Sequence, residues 1–357
     1  MTRRPIQLTR RHLLAGLGSV AFGRAGTAQT QVPGARSLTL NARPTMLTLR
    51  AGQPETPGWG LQADPSEAVS RFRQGDTTEL TLNNGLPAPL VLNWHGFDGV
   101  SSIEPLIARR PIFPGKTERY TLPLRQAGTF LCDTRLLGDD LAQSSPARAL
   151  IVEEQAPAEV DRDELLLIED WRLDSNALPL APGRVGEAKT PLYLVNGKPS
   201  LDLTLRANDR LRLRFINACQ HNAIAVKIDN LNVRVMAIDS QPAEPFLARE
   251  GRLVLAPGTR IDAFVDATTA TGTASAITLH DGREARQIAR LHTSADKPVR
   301  ATPLPAPPPL PSNGLPPQLN LRTALRVDVP LVAPEGSPAA WIPPSRFSST
   351  AAPAFRV

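Results

Sequence analysis

The residues of this chain that could do metal or acid–base chemistry are few and scattered. His95 sits in the stretch LVLNWHGFDGV, residues 90–100, between Trp94 and Gly96 at the mouth of a Gly-rich turn. Imidazole is the commonest side-chain metal ligand, so a histidine placed this way invites a metal. A metal needs several ligands, however, and the residue two positions earlier on the same face of a strand is Asn93. Downstream, GTFLCDTRLLGDD carries Cys132, Asp133 and Arg135. Cys132 is a soft-ligand candidate, but strand alternation turns it and Asp133 to opposite faces, which favours packing over ligation for the thiol. The other histidines outside the N-terminal stretch are His221, His280 and His292, with no H-x-H and no H-x₃-H among them. An all-histidine copper or zinc cluster therefore has little local support. His280–Asp281 in LHDGRE and Asp139–Asp140 after Gly138 read as solvated turns. Cys132 and Cys219 form no C-x-x-C pair and read as two buried small apolar side chains. No dinucleotide fingerprint, phosphate-binding loop, H-E-x-x-H or G-x-S-x-G is present.

The elements that must position these residues read as strands. Between Ser37 and Glu154 short apolar runs (SLTLNA, AVSRFRQGDTTELTLNNGL, ERYTLPLRQAGTFLCDTRL, RALIVEE) are broken by Gly, Pro, Asn and Asp. A second block repeats the design in ELLLIEDWRLD, LYLVNGKPS, LDLTLRANDRLRLRFINACQHN, IAVKIDNLNVRVMAIDSQPAEP and LVLAPGTRIDAFVDA. VSRFRQGDTTELTLNNGL and LTLRANDRLRLRFINA share a strand, a Gly/Asn–Asp turn and an alternating strand ending in Asn, a weak internal duplication. The spacing predicts an all-β protein of two β-sandwich domains, residues 36–156 and 160–298. ATPLPAPPPLPSNGLPP follows, a polyproline-prone linker over 299–318, and then a tail, 319–357, too short for a domain.

The formal charge of +6 would suit nucleic acid, but residues 1–28 hold five arginines and no acid. The remaining chain is nearly balanced at 35 basic to 34 acidic residues, which leaves no electrostatic footprint for a phosphate backbone. Residues 1–28 read as an export signal. Arg10–Arg11 follow Thr9, a short apolar run from Leu13 to Phe22 comes next, and Ala28 sits at a plausible cleavage site. The pair Arg10–Arg11 marks the twin-arginine type. The apolar run is too short to span a bilayer, so stable membrane insertion is not expected. The expected location is the periplasm, and the expected first partner is the twin-arginine export machinery.

The ordered set of segments resembles the first two cupredoxin domains of the multicopper oxidase family. VLNWHGFDG resembles that family's HWHG segment. PIFPGKTERYTLPLRQAGTFLCDTRLLGDDLAQ resembles its segment ending in the H-x-H pair. LLLIEDWRLD, LVNGKPS, LRLRFINA, VMAIDSQPAEP and LAPGTRIDAFVDA resemble its second-domain segments, so the likeness spans about residues 37–266. The resemblance implies Greek-key cupredoxin-like sandwiches and, in the family, a trinuclear copper cluster taking two histidines from each first-domain segment. Carried over, those positions hold Asn93, His95, Asp133 and Arg135. One ligand of four survives, and Arg135 brings a permanent cation to a place where Cu²⁺ would sit. An Asp133–Arg135 ion pair standing in for the metal is one expectation.

The tail AAWIPPSRFSSTAAPAFRV resembles the opening of a third cupredoxin domain, which is expected to be missing or truncated. These departures imply a copper-depleted, non-catalytic binding or scaffold protein with no catalytic residues and no cofactor. Its partner is an unknown periplasmic one, with a cell-envelope or division role by analogy. Lacking the histidines that make trimerisation useful in related two-domain oxidases, it is expected to be a monomer. The alternative is a copper-binding oxidoreductase completed by a third domain or a partner subunit.

Overall fold

The structure is a computed structural model that describes residues 37–315, except 51, 65–68, 98–110, 135–144, 175, 177, 181–189 and 221, together with Arg322. The arginine pair Arg10–Arg11, the cleavage site at Ala28, Arg135, Asp139–Asp140, His221 and nearly all of the 319–357 tail lie outside the described residues.

Among the described residues, eight strands build the first half: β1 (Ser37–Leu47), β2 (Thr56–Asp64), β3 (Ser70–Arg73), β4 (Thr77–Asn84), β5 (Asn93–His95), β6 (Thr117–Pro123), β7 (Gly128–Asp133) and β8 (Arg148–Glu153). They form two four-stranded sheets, ordered β2-β1-β4-β6 and β3-β8-β7-β5. Alternation in β4 sends Leu80 and Leu82 inward, where they meet Leu40, Leu122, Phe130 and Val152 in one core.

Among the described residues, eleven strands build the second half: β9 (Arg162–Trp171), β10 (Leu192–Val195), β11 (Leu201–Leu205), β12 (Arg210–Asn217), β13 (Ile224–Ile228), β14 (Val233–Ile238), β15 (Gln241–Leu247), β16 (Arg252–Leu255), β17 (Arg260–Asp266), β18 (Ala274–His280) and β19 (Ala285–Thr293). Their sheets are β10-β9-β12-β17-β14-β15 and β11-β19-β18-β13-β16, packed over a second core that includes Leu213, Phe215, Val226 and Ile277. The architecture is all-β, two cupredoxin-like sandwiches.

Both halves use the same crossing pattern. In the first, β1 runs parallel to β4 and β3 parallel to β8. In the second, β9 runs parallel to β12 and β11 parallel to β19. The internal likeness in sequence therefore aligns β3–β4 with β11–β12. Both sandwiches lie in one compact unit.

Strand β7 explains why they cohere. All six of its residues are buried, so both of its faces are covered. Phe130 and Cys132 face the first core. Leu131 points the other way, into a small apolar cluster with Ala149 and with Leu167, Ile216 and Ala218 of the second sandwich. Beside that cluster the contact is ionic. Strand β12 alternates Leu211, Leu213 and Phe215 into its own core with Arg210, Arg212 and Arg214 on the opposite face, and all three arginines are buried. Arg212 makes a two-pronged pair with Glu154 (2.9 and 2.8 Å) and reaches Asp262 at 2.6 Å. Arg214 makes a second fork to Asp163 (2.6 and 2.7 Å) and also meets Asp262 and the Thr129 hydroxyl. Planar guanidinium forks suit this arrangement, since each charge removed from water is matched by carboxylate oxygens in fixed geometry.

The Pro-rich stretch is extended, without regular secondary structure over 301–315, and is held along its length. Arg300 forks onto Asp161, and Arg210 donates to the carbonyls of Leu304 and Pro305. Leu310 is buried against Met236, Ala237 and Phe264. Composition shows only an extended linker; the side chains of the sandwiches make its described part a strap.

Candidate functional site

Strands β5 and β7 pair antiparallel in a register that sets Asn93 opposite Asp133, Trp94 opposite Cys132 and His95 opposite Leu131. Residues directly opposite share a face. Trp94 and Cys132 therefore face the first core, and Asn93, His95 and Asp133 share the face that Leu131 presents to the second sandwich. The three are brought together as one polar cluster. Asn93 Nδ2 donates to Asp133 Oδ1 at 3.0 Å, and His95 Nε2 lies 3.3 Å from Asp133 Oδ2. One carboxylate thus accepts from both neighbours, one oxygen to each. Asp133 is almost fully buried, and its side chain is 5% exposed against 36% for His95.

The frame around His95 is aromatic and tightly fitted. Trp94 Nε1 donates to the Tyr120 hydroxyl at 3.1 Å. Phe97 stacks on Phe130 with centroids 4.1 Å apart and meets Trp94 edge-on. Gly96 has φ +101°, a conformation that glycine adopts without steric cost. A Cβ there would lie 2.5 Å from a terminal nitrogen of Arg260. Arg260 belongs to β17 and is buried; it donates to the carbonyls of Thr129 and Gly258. A Cβ on Gly258 would in turn lie 3.2 Å from His95 Nδ1. The second sandwich therefore closes on His95 through Gly258, and it brings a guanidinium against the adjoining turn at Gly96.

Both cysteines are buried thiols with no disulfide between them, Cys132 in the first core and Cys219 in the second. Burial pushes the Cys132 thiol up to about 12, against a smaller lowering by Arg148, so it is protonated at neutral pH. Arg135, and with it the expected Asp133–Arg135 pair, lies outside the described residues. Among the described residues no group of three or more His, Cys, Asp or Glu converges in a way that could hold a metal ion. His280 instead ends β18 with an exposed side chain, and Asp281 opens the turn after it, where it accepts from the backbone N–H groups of Arg283 and Glu284 and its side chain, 4% exposed, is not solvated. Asp281 is also tied to Tyr193 and Arg286, links that sequence spacing did not reveal.

What the sequence reading missed is the arginine face of β12. Its alternation reads equally as a solvated polar face, and the one available signal was three arginines at every second position with Asp262 in a neighbouring strand.

Fold and register together define a protein of two cupredoxin-like sandwiches, with a histidine, an asparagine and an aspartate at the end of the β5–β7 pair. Multicopper oxidase profiles match residues 49–143 and residues 163–293, and the chain belongs to the multicopper oxidase family. It is 26% identical over 238 residues to Laccase-1 of Cryptococcus neoformans, covering 56% of this chain and 36% of that protein. It is 24% identical over 277 residues to Copper resistance protein A of Escherichia coli, covering 61% of this chain and 44% of that protein. The chain thus spans less than half the length of these relatives. Among solved structures, a multi-copper oxidase from Pseudomonas thermotolerans superposes with a TM-score of 0.65 at 27% identity, covering 79% of this chain and 68% of the other. A multicopper oxidase from Aquifex aeolicus, at 17% identity and a TM-score of 0.65 over 82% of this chain and 68% of that one, shares the fold.

Proposed function

We propose that this chain is a copper-ligand-depleted member of its family that acts by binding rather than by oxidation. The observation that supports the reading is the Asp133 carboxylate, which accepts from Asn93 with one oxygen and from His95 with the other. In that arrangement the donors at three family ligand positions satisfy one another. The residues present do not fit a copper cluster. An amide is a poor ligand, the His95–Asp133 contact engages Nε2, and Arg260 places a fixed cation against the adjoining turn at Gly96. In this reading the protein is exported by the twin-arginine route through Arg10 and Arg11, works in the periplasm on an envelope partner, and needs no catalytic residue.

The test is copper reconstitution of the purified chain, with bound metal counted by mass spectrometry. The expected result is no stoichiometric copper in the native chain. The double variant Asn93→His, Asp133→His, which supplies three imidazoles with His95, is expected to gain measurable copper. Stoichiometric copper with a visible absorption band in the unaltered chain would overturn the reading.

A second reading is supported by family membership and by the chain spanning less than half of its curated relatives. There it is part of a copper oxidoreductase completed by further sequence or by a partner subunit. Oxidase activity appearing only with that partner, and lost in His95→Ala, would favour it.

A further inference from the structure

We infer that Asn313 is a deamidation site whose protection depends on the strap being docked. Its carboxamide closes the strap onto both sandwiches at once. Asn313 Oδ1 accepts from Ala127 N–H at 2.9 Å. Asn313 Nδ2 donates to the Ala127 carbonyl at 2.9 Å and to the Ser240 carbonyl at 2.7 Å. Ala127 precedes β7 in the first sandwich, and Ser240 joins β14 to β15 in the second. The two backbones touch here because Gly128 has no side chain; a Cβ on it would lie 2.7 Å from Ser240 Cβ. One side chain therefore senses the relative placement of both halves.

The residue after Asn313 is Gly314. Asparagine followed by glycine is the sequence most prone to cyclise, because no side chain hinders attack by the next backbone nitrogen. In that reaction the Gly314 nitrogen loses its proton and attacks Asn313 Cγ. A new C–N bond forms, the Cγ–Nδ2 bond breaks, and Nδ2 leaves as ammonia. Water then opens the succinimide to aspartate or isoaspartate, so water is the one co-reactant and no oxidation takes place.

Docking opposes the attack by fixing the carboxamide. The carboxamide is held by four hydrogen bonds, the fourth accepted by Oδ1 from Gln74 Nε2 at 3.4 Å, while the Gly314 N–H is directed to the Ser312 hydroxyl, within the strap itself, at 3.1 Å. Release of the strap frees the carboxamide, whose partners all lie on the sandwiches. The product cannot redock in the same way, since a carboxylate has no donor and would face the carbonyls of Ala127 and Ser240. Two other Asn–Gly pairs, Asn84–Gly85 and Asn196–Gly197, are locked within a single sandwich by backbone partners. Asn313 differs in that its partners come from both halves, so it answers to separation of the halves as well as to unfolding. An irreversible mark on undocking follows from the chemistry.

The experiment follows deamidation of the full chain at mildly alkaline pH by peptide mapping. In native buffer Asn313 is expected to react at least about tenfold more slowly than in the urea-unfolded chain, as local opening must come first. Leu310→Ala, which removes the strap's buried anchor, is expected to speed reaction at Asn313 while leaving Asn84 and Asn196 unchanged. Asn313→Asp is expected to raise hydrogen exchange at Ala127 to the level of a released strap, with both cores still protected. Equal rates at Asn313 in native and unfolded chains would overturn the inference. So would native exchange protection at Ala127 in Asn313→Asp.

Discussion

Thr129 Oγ1 donates to Asp262 Oδ1 at 2.6 Å, joining β7 of the first sandwich to β17 of the second. The same hydroxyl accepts from Arg214 at 2.8 Å, and the other Asp262 oxygen accepts from Arg212 and Arg214. One carboxylate thus stands between two guanidiniums and one hydroxyl, all buried.

Removing that carboxylate leaves two arginines short of counter-charge in a buried place. Asp262→Ala is expected to destabilise the chain by about 3–5 kcal/mol, the usual cost of breaking a buried ionic group on one side. Thr129→Val removes two hydrogen bonds but no charge and is expected to cost about 1–3 kcal/mol. Denaturant unfolding measures both, and a smaller loss for Asp262→Ala than for Thr129→Val would count against the ionic account.

Acid should open the same junction. Burial alone would raise the Asp262 carboxyl, but Arg212 and Arg214 outweigh it and hold it below its ordinary value of 3.8. Asp163 shows the same balance: burial raises it and the Arg214 fork brings it lower. A carboxyl depressed in the folded state contributes stability above its unfolded pKa and loses it as pH falls through the folded one. Melting temperature is therefore expected to fall as the pH drops below 3.8, and Asp262→Asn should flatten that part of the curve.

Gly96→Ala tests the turn beside His95. The substitution meets both a positive φ of +101° and the Arg260 guanidinium at 2.5 Å. A loss of about 1–3 kcal/mol is expected from backbone strain alone. Adding Arg260→Lys, whose slimmer head relieves the clash, should recover part of it. No recovery would locate the cost wholly in the backbone.

Much of the fold was legible because alternation is a local property. The runs around Leu80, Leu82, Leu213 and Phe215 each mark a half-buried strand whatever lies across from them. Strand β2, with Trp59 among glycines and prolines, and the β18–β19 hairpin carry weaker local signals. Their strand character depends on neighbours: β2 pairs along β1 over nine residues, and β18 takes its place from β13 and β19. Sequence also could not say what Asp133 binds. Its partners Asn93 and His95 lie 40 and 38 residues away, and only the β5–β7 register makes them adjacent.

The sequence by itself determined the strand periods, the family likeness and which side chains stand at positions 93, 95 and 133, because each is written in residue types at short spacing. The tertiary structure decided which face of β12 is buried, what the Pro-rich segment holds, and how Asp133 is satisfied. Those outcomes depend on charges and carbonyls contributed by strands far apart in the chain. Arg212 becomes an interior residue only once Glu154 and Asp262 have been folded against it.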